Sequence, residues 1–281
     1  MTELFPIQVT APNLPPAGDR PVIFHGVNKS GSLAMADVMY AAHEEAGRID
    51  EVVSNYHNHP PGFDDLDRTL QTSRGSGLFV AHCIYGRLDI PPDALLVSQI
   101  RHPLPRTLSV YGWMKRGHLR RHKSLDGFPP FDAWLRSTGG KHHSQIAQFA
   151  IGFGEGWRAR TKLMALPEMH ERALEHLYRD FTWFGVAEFF EESIYVMAHL
   201  CGLRAVPAWT KDTRNQARQR LDETSPEVID AIHNTFAYDF AFYNEALATF
   251  NARIANIDFG SSLMAYKERC KDAYGERLVT S

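Results

Sequence analysis

Between Pro21 and Tyr40 the chain runs from an apolar triplet, Val22-Ile23-Phe24, through a polar, glycine-containing turn, His25 to Ser32, into apolar residues at helical spacing. Met35, Val38, Met39, Ala42 and Ala46 share one face of that expected helix. Strand, turn and helix N-terminus form the physical recipe for an anion site. The first-turn N–H groups lack intrahelical acceptors, and the helix dipole favours negative charge there. Lys29 adds a positive charge, and Ser30 and Ser32 add hydroxyl donors. The loop is not an NTPase P-loop, which needs four residues between its glycines and a Lys directly after the second. Here Lys29 lies between Gly26 and Gly31.

The rest of the chain supports an α/β sheet. Glu51 to Asn55, Gly77 to Ala81, Ala94 to Ile100 and Phe181 to Gly185 read as further strands. Their apolar runs do not alternate strictly, as expected for parallel strands covered on both faces. Helical segments between them imply βαβ units. Pro103 to Gly117 is expected to be helical, with Pro103 and Pro105 in its first turn. Arg106, Ser109 and Trp113 share one of its faces. Arg101 to Lys123 holds seven Lys or Arg and no Asp or Glu. Such a block is either a solvated face or, following a strand end, a second anion site.

The half beyond residue 130 reads as helix-rich. Glycine pairs at 139–140 and 152–154 break residues 130–180 into several helices, and Glu188 to Gly202 forms another, with Gly202 beyond its C-terminus. Residues 203–223 read as a basic connection. One long helix is expected from Thr224-Ser225-Pro226-Glu227, with an apolar stripe from Ile229 through Phe236, Phe240, Tyr243 and Phe250 to Ile254. Residues 1–20, rich in proline, read as an irregular arm, and 21–281 as a single domain.

The net charge of −3 excludes a global basic field for nucleic acid. Cys83, Cys201 and Cys270 are odd in number and widely spaced, which favours a reducing compartment, and a cytoplasmic location is expected. No apolar run reaches membrane-spanning length, and the first twenty residues lack the pattern of a secretory signal.

Two anion sites at two strand ends suit a ligand with two separated anionic groups. Phe24 to Ser32 resembles the 5′-phosphosulfate loop of sulfotransferases that use 3′-phosphoadenosine-5′-phosphosulfate, PAPS, and release PAP. Gln99 to Tyr111 resembles their 3′-phosphate motif, Arg-Asp-Pro followed by Arg and Ser. Phe184 to Ser193 resembles a later family segment, and Leu221 to Tyr243 the C-terminal region of carbohydrate-type members. The resemblance covers about residues 21–250. It implies a three-layer, P-loop-like α/β sulfotransferase fold with a central parallel sheet and a helix-rich C-terminal half. It marks Asn28, Lys29, Ser30, Gly31, Ser32, Leu33, Arg101 and Ser109 as donor-binding. The chain departs from the family pattern in carrying His102 where Asp is usual and Asn28 where Pro is common. The Arg-Lys-Gly-rich cofactor loop of cytosolic small-molecule members is not evident.

The implied activity is in-line transfer of a sulfuryl group to a hydroxyl of a small-molecule or carbohydrate acceptor. Lys29 and the loop N–H groups would stabilise charge on the leaving phosphate, so no metal is required. His82 is the first choice of base. His82-Cys83, nineteen residues before Arg101, resembles a His-Cys step of heparan sulfate 6-O-sulfotransferases. His57 and His59 are the alternatives. Residues 56–76 and 117–160, with Phe128, Phe131, Trp134 and Trp157, are the expected acceptor walls. Two rival functions are a nucleotide or phosphometabolite kinase, which needs Mg²⁺, and a non-catalytic module that binds nucleotides or sulfated glycans through residues 101–123.

Overall fold

A computed structural model describes residues 3–54, 77–81, 85, 90–138, 144–151, 164–209 and 224–274. Five parallel strands form the central sheet: β2 (Val22–His25), β3 (Val52–Ser54), β4 (Leu78–Ala81), β5 (Leu95–Ile100) and β6 (Trp183–Val186), in the order β3-β4-β2-β5-β6. Every residue of β2, β4, β5 and β6 is buried. That is why these runs are continuously apolar and not alternating.

Helices cover both faces of the sheet. α1 (Ser32–Glu45) packs against α6 (Phe190–Leu200), which in turn packs on β6. On the other side α8 (Ala237–Ile254) packs on β6, on α4 (Ile146–Phe149) and on α5 (Leu166–Arg179). The result is the expected three-layer, P-loop-like α/β architecture. A second apolar cluster joins α2 (Pro103–His122), α3 (Phe131–Thr138) and α7 (Pro226–Thr235) through Leu104, Leu108, Trp134, Ile232, Phe236 and Phe240.

Several local expectations change. The proline-rich arm is not wholly irregular: β1 (Leu4–Pro6) pairs antiparallel with β7 (Ala205–Pro207), inside the segment read as a connection. Ala46 is exposed, because the helix ends there as Gly47 turns left-handed at φ 69°. α2 runs past Gly117 to His122. It stops at Lys123, whose φ of 58° closes the C-terminus beside Arg120, Arg121 and His122, cations suited to the dipole there. The long C-terminal helix is two. At Phe236 the backbone leaves helical geometry, with φ −112° and ψ 30°. One straight helix does not serve both clusters: Ile232 and Phe236 pack against the Trp134 cluster, while Phe250 packs against Trp183 in the main core. A last helix, α9 (Ser262–Tyr274), was not anticipated.

The topology positions the candidate site. From β2 the chain moves to one side of the sheet, through β3 and β4; from β5 it moves to the other, into β6. The carboxyl ends of β2 and β5 therefore flank the switch point, where α/β sheets open a ligand crevice. β4 borders β2 on its other side, with Ala81 opposite His25.

Candidate functional site

The loop between β2 and α1 has an unusual backbone. Lys29 has φ 64° and Gly31 φ 86°, both left-handed, while Ser30 between them is not. Alternation of hand is the backbone geometry of an anion-binding nest. A non-glycine residue held left-handed is strained, and such strain collects at functional sites. α1 then starts with no side-chain cap and no acid in its first turn. The N–H groups of Ser32, Leu33 and Ala34 have no intrahelical acceptor and point out of the helix end.

The loop is braced from within. Ser30 and Ser32 are buried, and both hydroxyls donate to the Val27 carbonyl at 2.9 Å. They shape the loop, as does the Ser30 N–H, which donates to the same carbonyl at 3.3 Å. The Asn28 N–H donates to Gln148 Oε1 at 2.8 Å, a bond that a proline at this position has no N–H to make. The Asn28 carbonyl accepts from Arg106 Nε at 2.9 Å.

Arg101 follows β5 directly and reaches across the switch point. Its Nη1 donates to the Lys29 carbonyl at 3.3 Å. Its own backbone is clamped by Gln145, whose Oε1 accepts the Arg101 N–H at 2.9 Å and whose Nε2 donates to the Arg101 carbonyl at 2.6 Å. The loop carrying Lys29 and the strand end carrying Arg101 are thus joined.

His102 does the local work of the expected aspartate. Its ring Nδ1 accepts the Leu104 N–H at 3.3 Å and caps α2. Burial, then His233 and Arg101, hold its pKa below the ordinary histidine value, which favours the neutral ring that accepts. The His102 N–H donates to the Glu188 carboxylate, which also accepts from Tyr243 Oη at 3.0 Å.

Arg106 is a deeply buried cation, 2% exposed. Burial pushes its guanidinium down to about 10, against the opposing charge of Asp239. Burial likewise pushes the Asp239 carboxyl up to about 6, although Arg106 and the Gln145 and Ile146 N–H groups favour its charged form. Arg106 Nη2 and Asp239 Oδ2 are both buried without a hydrogen-bond partner. Ser109 is buried one turn further along α2. The basic run therefore divides. Arg101 and Arg106 turn inward to the loop, while Lys115, Arg120, Arg121 and Lys123 lie on the exposed half of the helix.

The structure brings Asn28, Lys29, Ser30, Gly31, Ser32, Leu33 and Arg101 together, with Ser109 on the adjoining helix. His82, Cys83, His57, His59 and Trp157 lie outside the described residues. Trp134 is not an acceptor wall: it is 3% exposed in the second cluster, against Tyr111 and Phe131. Sequence reasoning missed Gln99, Gln145, Gln148, Glu188 and Asp239. Two of them carried a signal: Gln99 is a carboxamide inside an apolar strand, and Asp239 a carboxylate inside an aromatic stripe.

No protein-family profile matches the chain, and no curated protein matches it in sequence. Among solved structures, mouse sulfotransferase SULT7A1 complexed with PAP matches at 12% identity and a TM-score of 0.38. The match covers 79% of this chain and 66% of that one, so the chain spans just under two thirds of the neighbour's length.

Proposed function

We propose that this protein transfers a sulfuryl group from PAPS to a hydroxyl of a small-molecule or carbohydrate acceptor. One observation carries the reading: Arg101 bonds the Lys29 carbonyl across the switch point, so the two anion motifs share one crevice. A donor with phosphates at both the 5′ and 3′ positions suits that pair. The left-handed nest, the uncapped α1 terminus and the inward cations fit such a group.

In this reading PAPS supplies the sulfuryl group. The N–H groups of Lys29, Gly31, Ser32 and Leu33 hold its 5′ end, and the Lys29 ammonium stabilises charge on the leaving oxygen. Arg101 and Ser109 bind the 3′-phosphate. His82, one residue past β4, takes the acceptor proton; its neighbour Ala81 lies opposite His25, the last residue of the strand that leads to Lys29. The motifs that suggest this reading resemble the carbohydrate and heparan-sulfate-type branch. Among the described residues no helix is long and apolar enough to cross a membrane. Cys201 and Cys270 are buried thiols, and a reducing, cytoplasmic setting belongs to this reading.

The test is a thermal shift with PAP, ATP and GTP side by side, with and without Mg²⁺. A ligand at about a hundred times its Kd stabilises the fold by about 2.7 kcal/mol. PAP should stabilise without Mg²⁺. Stabilisation by ATP alone, and only with Mg²⁺, would establish the kinase reading instead.

A further inference from the structure

Gln99 is the penultimate residue of β5 and is 0% exposed. Both polar atoms of its carboxamide, Oε1 and Nε2, are buried without a hydrogen-bond partner. Buried amides in folded proteins are almost always paired, so an amide with both ends unpaired calls for a reason. Its position supplies one. A Cβ built on Gly31 would stand 3.4 Å from Gln99 Nε2, so the amide lies directly beneath the left-handed residue that closes the nest and caps α1. On the opposite face of the strand, its neighbour Ser98 is fully engaged with His25.

We propose that Gln99 is a positioning residue of the anion site: its carboxamide forms a floor under the Lys29–Gly31 turn and gains hydrogen bonds only when the loop closes on a phosphate or sulfate. The free protein then carries an unsatisfied amide, and anion binding relieves it. Gly31 suits this role. A left-handed glycine adjusts its peptide planes readily, and the absent side chain lets the amide approach. The amide is also neutral. A carboxylate in its place would put negative charge under the nest and oppose the ligand. The inference rests on the anion-site reading above and does not depend on which anion is bound.

Opposite changes in stability and affinity test it. Gln99→Met keeps length and removes both unpaired atoms, and replacing unsatisfied polar groups with apolar ones of similar shape is neutral to stabilising. The free variant should melt at the wild-type temperature or about 2–4 °C above it. Its affinity for PAP, and for inorganic pyrophosphate titrated in parallel, should fall about tenfold. Gln99→Glu should lose affinity for both further still. A lower melting temperature for free Gln99→Met with unchanged affinity would overturn the proposal, because that is the pattern of an ordinary packing residue.

A second measurement on the wild type does not depend on how the variants fold. The Gln99 side-chain amide resonances should shift and exchange more slowly on saturation with anion. Unchanged resonances at saturation would equally overturn the proposal. If pyrophosphate binds with this dependence on Gln99 but PAP does not bind, the floor stands and the PAPS reading falls.

Discussion

Arg106 donates from Nε to the carbonyl of Asn28 at 2.9 Å, so a side chain rooted in α2 holds the backbone of the loop after β2. The same guanidinium is buried beside Asp239 of α8. One cation thereby joins the loop after β2 to α2 and lies in the field of Asp239 on α8. It acts as a strut behind the site, while Arg101 at the strand end faces the crevice.

Breaking that strut should be costly. Arg106→Met removes the bond to the Asn28 carbonyl and the nearby charge that favours ionised Asp239, and should cost about 1–3 kcal/mol. The pair Arg106→Met with Asp239→Asn should recover part of the loss, since a neutral amide still accepts from the Gln145 and Ile146 N–H groups and carries no buried charge. Urea denaturation of the two variants checks this. A double variant no more stable than Arg106→Met would refute the coupling.

His102 predicts a pH dependence. Its folded pKa lies below the ordinary value of 6.5, so the unfolded chain binds more protons in that window. The stability it contributes is present above about pH 6.5 and is lost as pH falls through the folded pKa, where a protonated ring no longer accepts from Leu104. His102→Ala should cost about 1 kcal/mol at neutral pH. His102→Asp should keep the cap and flatten the slope of stability just below pH 6.5. An unchanged slope in His102→Asp would show that the ring does not titrate with folding.

Lys29 combines strain with charge. Lys29→Gly removes the side chain from a left-handed position, so the free protein should hold or gain stability, by up to about 1 kcal/mol. Sulfuryl transfer should be abolished, as in Lys29→Ala, because the ammonium is gone. Near-wild-type single-turnover transfer by either folded variant would remove Lys29 from the mechanism.

His82 carries the proposed proton transfer. His82→Ala and His82→Asn should both lower kcat by about 10²–10⁴ and leave PAP affinity nearly unchanged. Full activity in the Asn variant with a lowered melting temperature in the Ala variant would make it a packing residue. Loss of turnover on changing His57 or His59 instead would move the base to that loop.

The sheet and the crevice were legible because strand ends are local. Apolar runs bounded by turns mark β2, β4 and β5, and the rule that ligands bind at the carboxyl ends of parallel strands pairs Lys29 with Arg101. The braces were not legible. Gln145 and Gln148 act on residues 44 and 120 positions away, and nothing in their own surroundings announces that. The break at Phe236 was hidden because aromatic spacing continues through it, and only the existence of two apolar clusters explains the bend. The short strands β1 and β7 escaped because each is three residues long and partnered across the whole chain.

The central claim is that one crevice binds both phosphates of a 3′,5′-bisphosphate nucleotide, with Arg101 on the 3′ side. Its most direct test is calorimetric titration of wild type and Arg101→Ala with PAP and with adenosine 5′-phosphate, in the absence of Mg²⁺. Wild type should prefer PAP, and Arg101→Ala should weaken PAP by about 2–3 kcal/mol while changing adenosine 5′-phosphate little. Equal weakening of both ligands, or no PAP binding by the folded wild type, would contradict it.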